Sequence, residues 1–153
     1  MAKTRCAMCG QAELTTGETV AELRVGPRRF SSVVAARLCP ACGESYVGAA
    51  SLLDLHHQAA RWVAEHGPAS GDELRFLRKT TGLRAVDLAR LLGVSEATIS
   101  HWETGKHGFD RATGATLASL ALDKVDGRET TIARLNRALE PASELDVRLS
   151  LAG

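Results

Sequence analysis

The sequence predicts an α+β chain in which a small β-rich unit is followed by an all-helical one. Three observations carry this. All four cysteines of the 153 residues fall in two matching phrases, "CAMCG" at 6–10 and "CPACG" at 39–43. Between them run β-branched stretches broken by glycine and proline. After Gly48 the apolar residues change to helical spacing.

Composition narrows the function. Apolar residues at 44% and charged residues at 24% are those of an ordinary globular chain. Aromatic residues are only 4%, too few for platforms that stack single-stranded bases. A net charge of +1 is too balanced for bulk attraction to a polyanion, so any nucleic-acid affinity must come from a local patch. The start, "MAKTRCAMCG", has no apolar run of the secretory kind, and no stretch approaches the roughly 18 apolar residues of a membrane helix. The expected compartment is the cytoplasm, with no membrane partner. Thiols stay reduced there, and paired cysteines point to metal or redox chemistry more than to structural disulfides.

Residues 1–48 are expected to form the first domain. Zinc takes four soft or borderline ligands at tetrahedral corners, and each C-x-x-C turn offers two sulfurs. The glycine after each pair, Gly10 and Gly43, relieves crowding in the turn. Cys6, Cys9, Cys39 and Cys42 are therefore expected to hold one zinc ion per chain. A redox pair would sit at a helix N-terminus in an α/β fold, which this segment does not resemble. Between the pairs, "ELTTGETVAELRV" and "FSSVVAARL" read as strands turning at Gly26-Pro27, with "SYV" after the second pair. The result is a zinc ribbon too small to fold confidently without its metal. With four protein ligands the metal is structural, and no position is left for activating water.

Residues 49–69 are expected to be a helical linker, with Leu52, Leu55, Ala59, Trp62 and Val63 on one face. His56 and His57 are adjacent, so they point apart on a helix and are expected to be ordinary surface or interface residues. "GPASG" at 67–71 is the clearest boundary.

Residues 70–140 are expected to form a five-helix domain. Ser70 and Glu73 have capping-box spacing, and that helix stops at Gly82. In the next stretch Leu88 and Leu91 give a short helix its buried side. Ala89 is small where two helices cross, Gly93 permits a left-handed turn, and Ser95 caps the following helix. Ile99 and Trp102 tuck that helix onto the core, which is the layout of a helix-turn-helix. Asp110 starts another helix ending near Gly127, and a last one stops before Pro141. The tail, residues 141–153, alternates Leu145, Val147, Leu149 and Leu151 with polar neighbours, as a strand would.

"LARLLGVSEATISHWETG" resembles the Xre/Cro-type helix-turn-helix, in which a small residue, a turn glycine and a terminal W-E-x-G recur. Together with the "C-x-x-C-G" and "C-P-x-C-G-E" phrases, the arrangement resembles the MqsA/YgiT family of bacterial antitoxins over residues 6–47 and about 70–125. The resemblance implies a zinc domain that grips a small ribonuclease toxin and a helical domain that dimerises and represses its operon. The alternative is a stand-alone zinc-containing transcription regulator. No metalloprotease pair, phosphate loop or nucleophile elbow points to an enzyme.

The DNA site is expected at different residues from the family's. Where Xre-type proteins commonly carry Thr-Gln, this chain has Arg84 and Ala85. Where family members place Asn and Arg, it has Ala97 and His101. Candidate contacts to a palindromic double-stranded operator are Ser95, Glu96, Thr98, Ser100 and His101 on the second helix. Arg84 and Lys106 flank it as phosphate contacts. They belong to a basic series that also holds Arg75, Arg78, Lys79, Arg90 and Arg111.

Overall fold

The computed structural model describes residues 5–140; the alternating tail, and the strand expected there, lie outside them. The N-terminal part is a three-stranded antiparallel sheet, β1 Thr15–Val25, β2 Arg28–Leu38 and β3 Ser45–Val47, in the order β1-β2-β3. The β1–β2 register closes at Val25 opposite Arg28, so Gly26 and Pro27 alone make the turn. Gly26 takes φ 54° and the proline ring holds φ near −65°, the pattern of a type II′ hairpin.

Six helices follow among the described residues: α1 Ala49–His66, α2 Gly71–Thr81, α3 Ala85–Leu92, α4 Glu96–Glu103, α5 Arg111–Val125 and α6 Thr130–Leu139. The last five make up the expected helical domain. The α+β layout is as the sequence predicts, but α1 is more than a connector. Its Ala60, Val63 and Ala64 join Leu74, Leu77, Leu88, Ile99, Leu117, Leu120 and Ala121 in one buried core. Its phase also differs from expectation. Leu55, Ala59 and Val63 are buried, whereas Leu52 is 48% exposed and the inner face turns instead towards Ala60 and Ala64. Small alanines let α1 approach α2 and α5 more closely than leucines would.

Helix ends are set as the residue types require. Ser70 Oγ accepts from the Glu73 N–H at 3.3 Å, but the Glu73 carboxylate takes the Ala69 N–H at 2.6 Å, one residue before the partner a capping box uses. Gly82 and Gly93 end α2 and α3 in the left-handed region, at φ 79° and 69°. Asp110 accepts from the Thr113 N–H at 2.8 Å to start α5. Asp123 accepts from the Thr131 N–H and the Thr130 hydroxyl, both at 2.7 Å, and so anchors α6 to α5. Those donors, the Thr131 N–H first, hold its carboxyl down at about 2.

The two parts are not equally endowed. Five large side chains of the helical core (Leu74, Leu77, Leu88, Ile99 and Leu117) are at most 1% exposed. Each contributes about 1.5–3 kcal/mol by burial. In the sheet part the buried apolar residues are Ala21, Val25, Ala36 and the two cysteines Cys6 and Cys39. Burial on that scale is small for a long hairpin, which is held besides at its cysteine turns and at its tip.

The hairpin tip sits on the helices. Phe30 meets Trp62 edge-on at 5.7 Å, and the Arg28 guanidinium lies 4.9 Å from the Trp62 ring centre. Arg28 Nε donates to Glu73 Oε1 at 2.5 Å.

Candidate metal centre and nucleic-acid interface

Each C-x-x-C phrase folds into the same tight turn. The Gly10 N–H donates to the Cys6 carbonyl and the Gly43 N–H to the Cys39 carbonyl, both at 2.9 Å. Gly10 and Gly43 take φ 67° and 76°, a conformation that a side chain would strain, which explains the glycine after each pair. The β1–β2 hairpin then returns the second turn to the first.

All four sulfurs lie within 4.8 Å of one another. Across the two turns, Cys6 Sγ is 3.7 Å from Cys42 Sγ and Cys9 Sγ is 3.6 Å from Cys39 Sγ. These spacings are far beyond the roughly 2.05 Å of a disulfide. A tetrahedron with Zn–S bonds of about 2.3 Å has S···S edges of about 3.8 Å, so the donor set and its spacing fit zinc. Four cysteines this close can hold a metal ion.

The sulfurs are inequivalent. Cys6 and Cys39 are buried and Cys42 is exposed. The Tyr46 hydroxyl, 3.3 Å from Cys6 Sγ, and the backbone N–H groups of Cys9 and Met8 hold the Cys6 thiol down at about 6. Cys42 accepts from the Glu44 backbone, yet the neighbouring thiols, Cys39 first, together with partial desolvation push it up to about 12. Without a cation the cluster keeps protons; a divalent ion removes that constraint and lets every sulfur ionise. Tyr46 is the residue that cysteine spacing alone did not reveal. Its signal is that the chain's single tyrosine stands four positions after the last cysteine, on a strand.

In the helical part, α3 and α4 are joined by Gly93-Val94-Ser95, with Ile99 fully buried and Trp102 packed against the core. Glu96, Ala97 and Ser100 are exposed on α4, and Thr98 and His101 are half-buried at its margins. Ala97, not among the expected contacts, is thus one of the three exposed residues of this helix. Ser95 is exposed but its hydroxyl caps α4, accepting from the Thr98 N–H at 3.1 Å and lying 2.8 Å from Thr98 Oγ1.

The basic series divides in two. Arg78 clamps Glu103, with Nε on one carboxylate oxygen at 2.5 Å and Nη2 on the other at 3.0 Å. Arg75 adds a third bond at 3.2 Å. Glu103 is 5% exposed, so these two arginines neutralise a buried acid and fasten α4 to α2. Arg84 does not cap α3, as expected from its side chain, but forms a two-pronged pair with Asp87 at 2.7 and 2.9 Å. It remains 77% exposed. Lys79, Arg90, Lys106 and Arg111 are exposed. Lys106 Nζ lies 3.5 Å from His101 Nε2, and the His101 and His107 rings are 5.1 Å apart. His56 lies outside the cysteine cluster, 3.0 Å from the Thr80 hydroxyl and against Phe76.

Residues 70–139 match the family model of a helix-turn-helix domain. No curated protein matches the chain. The domain match and the four-cysteine cluster together fit a zinc-binding helix-turn-helix regulator.

Proposed function

We propose that this chain is a sequence-specific DNA-binding antitoxin of a type II toxin–antitoxin system, which represses its own operon. The observation that carries the DNA reading is α4. It is pinned to the core by Ile99 and by the Glu103 clamp while Glu96, Ala97 and Ser100 face outward. Such a helix is built to enter a major groove. The toxin reading rests on the resemblance of the two cysteine phrases, followed by this helical domain, to MqsA/YgiT antitoxins. In that reading the zinc half grips a small ribonuclease, with one structural zinc held by Cys6, Cys9, Cys39 and Cys42. Ser95, Glu96, Thr98, Ser100 and His101 face the bases, with Arg84 and Lys106 at phosphates. One reading helix specifies only a few base pairs, so a homodimer on a palindrome is expected. Among the described residues no helix is long and apolar enough to cross a membrane. A cytoplasmic setting suits reduced thiolates and a DNA target.

Affinity capture of the tagged chain from its native host is the deciding experiment. A small basic protein encoded beside this gene should copurify, and footprinting should protect a palindrome upstream of both genes. Capture of neither the toxin nor the operator contradicts the proposal.

One observation favours a second reading, a stand-alone regulator whose ribbon reports on metal or thiol state. The hairpin tip is tied to the start of α2 through Arg28 and Glu73, and α2 abuts α4 at Gly71. A lone gene, together with DNA binding lost on chelation, would support it over the antitoxin.

A further inference from the structure

Tyr46 is the middle residue of β3, paired to Arg37 of β2, and so belongs to the second cysteine turn's side of the ribbon. Its side chain crosses to the first turn. The hydroxyl oxygen lies 3.3 Å from Cys6 Sγ and accepts the Met8 N–H, also at 3.3 Å. A phenol has one proton to give. The Met8 amide donates into the oxygen and leaves the phenol proton available. A metal-bound thiolate carries no proton, so in the loaded site the bond runs from Tyr46 O–H to the Cys6 sulfur. Among the described residues no other side-chain hydroxyl reaches any of the four sulfurs, and Cys42, at the opposite corner, is exposed.

We propose that Tyr46 is a positioning residue of the metal centre: its hydroxyl holds the Cys6 thiolate across the two turns and makes Cys42 the ligand that leaves first. The proposal rests on the reading of the cluster as a zinc site. Four thiolates place two net negative charges around a divalent ion, and a donor on one sulfur draws off part of that charge while fixing the sulfur's position. Ligand exchange begins with one thiolate swinging away. Cys6 is buried and tethered to an aromatic ring on another strand, so it is the least able to move. Cys42 is reached by solvent, and by any chelator or oxidant, without opening the sheet.

The test uses the full chain and Tyr46→Phe, which keeps the ring and removes only the hydroxyl. Both proteins should purify with one zinc. The variant should yield its metal to a competing chromophoric chelator at least about tenfold more readily, the range typical of outer partners of metal ligands. The thiolate-to-metal charge-transfer band of the cobalt-loaded protein should shift, a change that a purely packing role would not produce. Under slow alkylation mapped by mass spectrometry, Cys42 should react first and Cys6 last in the wild type, with the Cys6 rate rising in the variant. Unchanged chelator competition with an unchanged cobalt spectrum would overturn the proposal. If the variant fails to fold, cadmium-113-loaded wild type decides. The Tyr46 hydroxyl proton should exchange slowly and couple to the metal, and its absence contradicts the assignment. A wild type that binds no metal defeats the zinc reading itself, a distinguishable result.

Discussion

Arg28, the first residue of β2, and Glu73, in the first turn of α2, form an ion pair of 2.5 Å in which the glutamate is 1% exposed and the arginine 41%. The pair spans the junction between ribbon and helices. Glu73 keeps the Ala69 N–H, so removing the arginine leaves its carboxylate half satisfied and buried. Arg28→Ala should cost about 1–3 kcal/mol in chemical denaturation. A cycle with Glu73→Gln should show strong coupling between the positions.

Metal loss should reach the helices through that same pair. Cys39→Ser, or chelation, should melt the sheet while the helical core survives, because the core has its own buried leucines. The remaining helical signal should then unfold at lower denaturant, since an unfolded ribbon no longer presents Arg28 to Glu73. Adding Arg28→Ala to Cys39→Ser should cause little further loss. Full additivity would show that the ribbon and helices are energetically separate.

Gly71, the first residue of α2, packs directly against the backbone at the end of α4. A Cβ there would lie 2.2 Å from the Trp102 carbonyl oxygen and 2.8 Å from that of Glu103. Backbone cannot rotate away as a side chain can, so Gly71→Ala must push the helices apart. A loss of about 1–3 kcal/mol is expected. DNA affinity should fall as well, because α4 is displaced without any outward-facing residue being changed. Normal operator binding by the variant would contradict this.

Base and backbone contacts should separate by salt dependence. Lys106→Ala should weaken binding to all sequences alike and reduce the salt slope by about one. Ser100→Ala should alter sequence preference by about 1–3 kcal/mol at one position while leaving the slope unchanged. Arg84 is held by Asp87, so Asp87→Ala should free its guanidinium and strengthen binding to any DNA. Fluorescence anisotropy across a salt series checks all three.

Operator binding should tighten as pH falls. Burial first, then the positive Lys106 and neighbouring His107, hold His101 below the usual histidine range in the free protein. A DNA phosphate or acceptor alongside would raise it, so the complex takes up a proton. Affinity therefore increases from the raised value of the complex down to the lowered value of the free protein, and levels off below it. His101→Gln should flatten the profile on the acid side of neutrality.

The elements with strong local signals were legible in the sequence: both cysteine turns, the hairpin at Gly26-Pro27, the caps at Ser70, Ser95 and Asp110, and the buried Ile99. What escaped depended on partners distant in the chain. The phase of α1 is set by alanines that pack closely on α2 and α5, and helical periodicity favoured the larger Leu52. The roles of Arg75 and Arg78 depend on Glu103, so a list of basic residues could not separate structural arginines from free ones. Tyr46 reaches Cys6 only because β3 returns alongside β2.

The place of α1 bears on truncation. The loop at 67–70 is where the composition breaks, but Ala60, Val63 and Ala64 before it close the hydrophobic centre made by the helices after it. A gene cut at that loop would strip α1 away and open the core that it closes against α2 and α5. By its packing α1 belongs with the helices that follow it, so a truncation that keeps the helical core whole must begin ahead of Ala49 rather than at the proline and glycines after it.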